Sequence, residues 1–309
     1  MKNKFSILTM LSLLLVSVLT YGQAQKVDTL RVFYMGGQSN MDGYGYVSEL
    51  PDTLNKTFEN VWIFHGNPTP DDKPGGGMGV WEKLQPGHGG WMFSSDEKGN
   101  KLTNRFGVEL SFAAKIKEFY PNEKIALIKY SKGGTSLDTL APNYGCWDPE
   151  YVGVKGINQY DNFLTTVTNA YRIKDIDGNG IDDVLIPEGI IWMQGEADAI
   201  KKISAEKYYY NLKRMMGLIR AAFRKDNIPI VIGKISDSGQ DEKDGKVWDY
   251  LDLVQYAQEQ FVENDRHASI IRDTEKYSYT DEAHYDSKSL IEFGEKFASE
   301  LYKLKSSIE

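Results

Sequence analysis

Six short stretches of the chain are apolar almost without interruption: 29–35, 61–64, 124–130, 189–193, 228–235 and 268–272. Continuous rather than alternating runs of this length suit strands of a parallel sheet buried on both faces. Between and after them, residues 107–119, 161–173, 204–224, 251–263 and 287–305 carry apolar side chains at helical spacing. Asn227 and Pro229 fall just past the long 204–224 pattern, where a helix is expected to stop. Strand and helix alternating along the chain predict a doubly wound α/β sandwich with a central parallel sheet. Neither an internal repeat nor a low-complexity linker breaks the pattern, so residues 25–309 are expected to form one domain.

Two stretches depart from this alternation. Residues 67–99 are rich in Gly and Pro, include Gly75-Gly76-Gly77, and carry Trp81, His88, Trp91 and Phe93. Residues 138–158 carry Tyr144, Trp147 and Tyr151. Such excursions over a sheet either line a substrate cleft or pack a satellite core, and the pattern allows both.

The start of the chain follows another logic. Lys2 and Lys4 precede an apolar run over 5–19, and Thr20, Gly22 and Ala24 supply small residues for cleavage. This is the layout of a secretory signal peptide, read as residues 1–24. The run is shorter than the roughly 20 residues that span a bilayer. No cysteine follows it to carry a lipid, so export to the periplasm or the extracellular space is expected, with no membrane span.

Composition narrows the class further. The 309 residues are 41% hydrophobic and 26% charged, with 36 Lys and Arg against 44 Asp and Glu and a net charge of −8. Loss of Lys2 and Lys4 with the leader takes this to −10, which argues against a nucleic-acid partner. Cys146 is the single cysteine, so no internal disulfide forms and the core must stabilise the fold. With no basic neighbour in Tyr144-Gly145-Cys146-Trp147, it reads as a buried, inert thiol.

Polar residues with chemical potential cluster where strands end. Gly36-Gly37-Gln38-Ser39-Asn40-Met41-Asp42-Gly43 follows the first strand. In a doubly wound fold ligands bind at the carboxyl ends of strands, so Ser39 is well sited to be a nucleophile. The stretch is not a Gly-x-Ser-x-Gly elbow, because Met41 stands at the second glycine, and no phosphate-binding glycine loop is present elsewhere. A serine needs a base. Of His65, His88, His267 and His284, the last stands in Asp281-Glu282-Ala283-His284, where a carboxylate three residues earlier can fix the imidazole tautomer. His65 and His267 read as structural or surface groups, and His88 as a cleft residue. Ser131-Lys132-Gly133-Gly134-Thr135-Ser136 follows the third strand, and its glycines let backbone N–H groups approach an oxyanion. Gln194 in Trp192-Met193-Gln194-Gly195-Glu196-Ala197-Asp198, after the fourth strand, offers another donor.

Five ordered blocks, Gly37-Gln38-Ser39-Asn40-Met41, Arg105-Phe106-Gly107-Val108-Glu109, Gly133-Gly134-Thr135-Ser136-Leu137, Gln194-Gly195-Glu196 and Asp281-x-x-His284, resemble the SGNH/GDSL hydrolase superfamily. The similarity runs from about Leu30 to about Phe297 and is nearest to the sialate O-acetylesterase and acetyl xylan esterase branch. It implies a flavodoxin-like three-layer α/β/α sandwich, removal of O-acetyl groups from carbohydrates through an acetyl-enzyme, and no cofactor for catalysis. By the same resemblance Ser39 is the nucleophile and His284 the base. The Ser39 amide, the Gly133 or Gly134 amide and the Gln194 side chain are then the oxyanion donors. Asp281 is the first choice to orient His284, with Glu196 as the alternative or as a brace. Gln38, Asn40, Trp91 and Trp147 are expected to contact the substrate. Two positions depart from the family pattern: Val108 replaces a proline, and Met193 replaces a histidine that often precedes Gln-Gly-Glu.

One further motif lies outside this set. Asp175, Asp177 and Asn179 occupy positions 1, 3 and 5 of an EF-hand-like loop, with Gly180 at 6 and Asp183 at 9, but position 12 is Ile186. A solvated turn is the preferred reading and a structural calcium the alternative. A rival function is also open: a non-catalytic carbohydrate-binding protein whose Trp81, Trp91, Tyr144 and Trp147 stack on sugar rings. Binding alone would not need Ser39, His284 and Asp281 together.

Overall fold

The computed structural model describes residues 28–66, 75–90, 99–141, 143–153 and 157–308. The expected leader, Trp91 and Phe93 lie outside them. Seven strands form the main sheet: β1 (Asp28–Gly37), β2 (Val61–His65), β3 (Trp81–Lys83), β4 (Lys124–Ser131), β5 (Asp183–Met193), β6 (Ile230–Gly233) and β7 (Ala268–Ile271). They are ordered β7-β6-β5-β1-β4-β2-β3, parallel except for the β2/β3 pair. Five longer helices cover the sheet: α1 (Glu109–Phe119), α2 (Gln159–Arg172), α3 (Lys202–Ala222), α4 (Leu251–Glu263) and α5 (Ser287–Ile308).

The central strand shows why its sequence is apolar throughout. Side chains alternate across a strand, so both faces of β1 need apolar residues when both are covered. Phe33 meets Phe112 of α1 edge-on at 5.3 Å, while Tyr34 points the other way, onto Phe163 of α2 at 5.0 Å. Phe223, just past α3, packs on the Tyr34 side at 5.7 Å. α5 joins α1 on the Phe33 side through the stacked Phe119 and Tyr302 rings, 4.2 Å apart. α5 also lies tight on β5 and β6, where a Cβ on Gly189 or Gly233 would come within 2.3 Å of Leu301 or Phe293. The result is the three-layer α/β/α sandwich expected.

All six apolar runs are strands and all five periodic stretches are helices. The helix ends follow local chemistry: Asn158 caps α2 by accepting from the Tyr160 and Asp161 amides, and Asp286 accepts from the Ser289 amide at the start of α5. Two features differ from the sequence pattern. β5 begins at Asp183, six residues before its apolar run, because its first half extends past the helices and leaves Val184 and Ile186 exposed. Pro187 sits in that half, and the pairing with β1 slips there, from Val32 opposite Pro187 to Phe33 opposite Gly189, so that Glu188 is the extra residue of a bulge. β3, the antiparallel edge strand, carries the pattern Trp81-Glu82-Lys83 and is too short and polar to stand out.

Candidate active site

The β1 chain end makes the first part of the site. After Gly37 a single helical turn, Ser39–Asp42, carries the serine, and all four of its residues are buried. Gly37 is obligatory here: its φ is +144°, and a Cβ would lie 1.9 Å from the Met193 carbonyl oxygen at the end of β5. The Gln38 amide donates to that same oxygen at 2.9 Å. The loop after β4 lies against the serine. Its Lys132 amide donates to the Gly37 carbonyl, and a Cβ on Gly133 would stand 3.3 Å from Ser39 Cβ. Gly134 takes φ +65° beneath the Tyr144 ring, a left-handed turn that favours glycine. Among the described residues no acceptor takes the Ser39 or Gly133 backbone N–H.

His284 comes from the segment between β7 and α5. Its Nδ1 is 2.8 Å from Asp281 Oδ2, and Asp281 Oδ1 accepts from the Ala283 and His284 amides. Partial burial opposes ionisation of Asp281, but these bonds, led by the one from His284, hold its carboxyl below the usual aspartate value. The imidazole stacks on the Tyr44 ring with centroids 3.7 Å apart and planes 2° from parallel. Arg105 supports that tyrosine by donating to its carbonyl oxygen at 2.5 Å, with its guanidinium 3.6 Å from the centre of the Tyr46 ring.

Asn40 joins the two halves. Its Oδ1 accepts from the Tyr285 amide at 3.0 Å, while its Nδ2 donates to the Ala283 carbonyl at 3.0 Å and to Glu196 Oε1 at 3.1 Å. The backbone on both sides of His284 is thus held by the residue next to Ser39. Glu196 faces Asn40, not the imidazole, and its Oε2 is buried without a hydrogen-bond partner. Burial pushes its carboxyl up to about 7, against the lowering effect of its own backbone and of Asn40.

Several expected roles are corrected by this geometry. Gln194 commits both amide hydrogens, to the Thr135 carbonyl at 3.0 Å and to Asp198 Oδ2 at 2.7 Å, and its Oε1 accepts from Tyr208. It therefore has no hydrogen left for an oxyanion and acts as a tie between loops. Asn40 is likewise fully engaged and is not placed to grip a substrate, while Gln38 turns its Oε1 to the Gly195 and Ala197 amides. Trp147 is fully buried, with its Nε1 on Thr135 Oγ1, and packs on Tyr130 and Trp192. It is a core residue. Trp91 lies outside the described residues. Trp81 is on the far edge strand, bonded to the Ala170 carbonyl, while Tyr144 is half exposed beside Gly134.

Beneath the site runs a buried polar network that the sequence disclosed only in part. Lys129 Nζ donates to Glu109 Oε2, to the Asp42 carbonyl and to the His88 carbonyl. Glu109 also accepts from the Gly107 amide, which assigns the Arg105 to Glu109 block a structural task under the serine turn. His88, read as a cleft residue, is instead fully buried with its Nδ1 3.4 Å from that of His65. Burial pushes His88 down to about 3, so the pair is neutral. Cys146 is buried as expected, and burial raises its thiol to about 12. Tyr44 is the residue that sequence reasoning missed. Its only signal was an aromatic between Gly43 and Gly45, just after the serine turn.

In the acidic loop, Asp175 turns both oxygens to the Asn179 and Gly180 amides of its own turn, as the solvated-turn reading expects. Asp177 and Asp183 instead come together with Asp28, which the motif did not include.

Comparison with known proteins agrees with this architecture. The family model described as carbohydrate esterase, sialic acid-specific acetylesterase, matches residues 29–303. No curated protein matches. Among solved structures, a protein from Arabidopsis thaliana superposes with TM-score 0.61 at 18% identity, over 88% of this chain and 98% of that one. NanS gives 0.58 at 14%, over 91% and 99%. A carbohydrate acetylesterase from Xanthomonas citri gives 0.52 at 16%, over 86% of this chain and 55% of its own. At these identities the likeness is one of fold, whereas the sequence family spans nearly the whole domain: the chain belongs to the sialic acid-specific acetylesterase family of carbohydrate esterases.

Proposed function

We propose that this protein is an exported serine esterase that removes O-acetyl groups from a carbohydrate, with Ser39 as nucleophile, His284 as base and Asp281 as the group that orients it. The observation that carries this reading is the Asp281–His284 hydrogen bond, held to the serine turn by Asn40 on both sides of the histidine. With Nδ1 on the carboxylate, Nε2 is the nitrogen left to take the proton of Ser39 Oγ. The alkoxide attacks the acetyl carbonyl, and the Ser39 and Gly133 amides stabilise the tetrahedral oxyanion. Collapse expels the sugar oxygen, which receives the proton from His284. Water, deprotonated by the same histidine, then attacks the acetyl-serine and releases acetate. No step requires Gln194 or a metal.

The family description favours O-acetylated sialic acid as substrate, with acetylated xylan or a related glycan as the neighbouring choices. The test is acetate release from both glycans by wild type and by Ser39→Ala. Release by wild type, lost by at least about a thousandfold in a folded alanine variant, is the expected result. Activity retained in Ser39→Ala would remove the serine from its role. Failure to cleave either glycan or a small aryl acetate would move the non-catalytic binding reading ahead.

A further inference from the structure

At the end of the sheet opposite the serine, three central strands begin side by side. Asp28 of β1 pairs in register with Asp183 of β5, and Leu30 of β1 pairs with Lys124, the first residue of β4. The acidic loop before β5 folds over this edge and adds Asp177. One carboxylate oxygen from each of Asp28, Asp177 and Asp183 lies within 4.8 Å of the others. Two oxygens bound to one calcium at about 2.4 Å are at most about 4.8 Å apart, so the three fit a single ion without rearrangement of the backbone.

Proximity of acids alone would carry little weight. The telling atom belongs to Asp183, which is 6% exposed: its Oδ2 accepts from the Ile176 amide at 2.6 Å, but its Oδ1 is buried with no hydrogen-bond partner. A buried carboxylate oxygen left unpaired is costly, and a cation is the partner that three converging carboxylates would select. Lys124 supplies part of that charge through ion pairs with Asp28 and Asp177. It makes no ion pair with Asp183 among the described residues, and one ammonium against three carboxylates leaves two negative charges uncompensated. A divalent ion beside the lysine would make the group neutral. The ligands are all hard oxygens, offered partly from a loop that bends at Gly178 and Gly180, both with positive φ. Adaptable geometry of this kind suits calcium better than magnesium, which demands a near-ideal octahedron and gives up water reluctantly.

We propose that Asp28, Asp177 and Asp183 bind one calcium ion at the N-terminal edge of the sheet, with water completing the shell and Lys124 displaced from between two of the carboxylates. The ion would fasten the starts of β1 and β5 to the 175–183 loop. The site is independent of the esterase reading.

The test uses the full chain, stripped with EDTA and dialysed. Equilibrium dialysis against radioactive calcium should find one ion per chain. Thermal unfolding should shift upward by about 4 °C or more in 1 mM calcium, and much less in 1 mM magnesium. Asp177→Asn, on the loop, should weaken binding by at least tenfold while the calcium-free melting temperature changes little. Lys124→Gln should tighten calcium binding severalfold. Absence of binding up to 1 mM calcium, or undiminished binding in Asp177→Asn, would overturn the proposal. So would a Lys124→Gln protein that melts lower and still binds no calcium, since the lysine would then be the resident counter-charge.

Discussion

Ser39, His284 and Asp281 stand out in the sequence as candidates because their chemistry is local: a serine on a glycine turn, and a carboxylate three residues from a histidine. What Asn40, Gln194 and Trp147 do was not legible, because each is defined by partners far along the chain. Gln194 reads as a free amide in sequence, yet Thr135 and Asp198 take both its amide hydrogens and Tyr208 donates to its oxygen. The choice between Asp281 and Glu196 as the group behind His284 is a residue-scale question with a direct test. Asp281 is on the imidazole at 2.8 Å, and Glu196 is on Asn40 at 3.1 Å. Asp281→Asn should therefore lower kcat by about 10²–10⁴-fold, because an amide no longer stabilises the imidazolium or enforces its tautomer. Glu196→Gln keeps an acceptor for Asn40 and should stay within about tenfold of wild type. Steady-state kinetics of the two variants on an aryl acetate separates the roles, and a larger loss in Glu196→Gln would reverse them.

At the scale of elements, the apolar runs located strands well because the parallel sheet is covered on both faces, and they failed where cover ends. Val184-Leu185-Ile186 on the uncovered half of β5 is a run of only three, cut off from the longer apolar stretch by Pro187 and Glu188, and Pro187 reads as a break although the strand continues around it through a bulge. Asp28 and Asp183 become neighbours only through that pairing, which is why the loop motif in sequence named Asp175 and omitted Asp28. The joint between β1 and β5 gives an element-scale prediction. Gly37→Ala would force a Cβ to 1.9 Å from the Met193 carbonyl at a φ of +144°, so the two strand ends must separate. A loss of about 3 kcal/mol or more in unfolding free energy, with near-complete loss of acetate release, is expected from denaturant titration and assay. A stable, active Gly37→Ala protein would mean that the serine turn does not depend on that close approach.

For the whole molecule, the fold class followed from the alternation of strand and helix, while the polar network in the interior did not, since a buried Lys129 or Glu109 looks like any surface charge in sequence. That network shapes the response to pH. Burial raises Glu196 to about 7 and Asp42, despite the charge on Lys129, to about 6. The native state thus holds protons that the unfolded chain has already released above about pH 4, so each group's contribution is complete below that pH and is lost as pH rises through 6 to 7. Stability should fall from about pH 4 to about pH 7 by about 1.4 kcal/mol per unit for each proton so held, and level off above that. Glu196→Gln removes one such group. Its melting temperature should exceed that of wild type at pH 8, and the gap should shrink towards pH 5; a gap independent of pH would place Glu196 outside this effect.

The hold of Asn40 on the backbone around His284 has a consequence in time as well as in space. The two residues are separated by most of the chain, so the turn with the proposed nucleophile is synthesised long before the segment with its proposed base. A chain that has folded only its first strands has a serine in place and nothing to activate it. With the proposed roles, catalytic competence arrives with docking of the last helix, and hydrolysis of an aryl acetate during refolding should report the final assembly step, not the formation of the sheet.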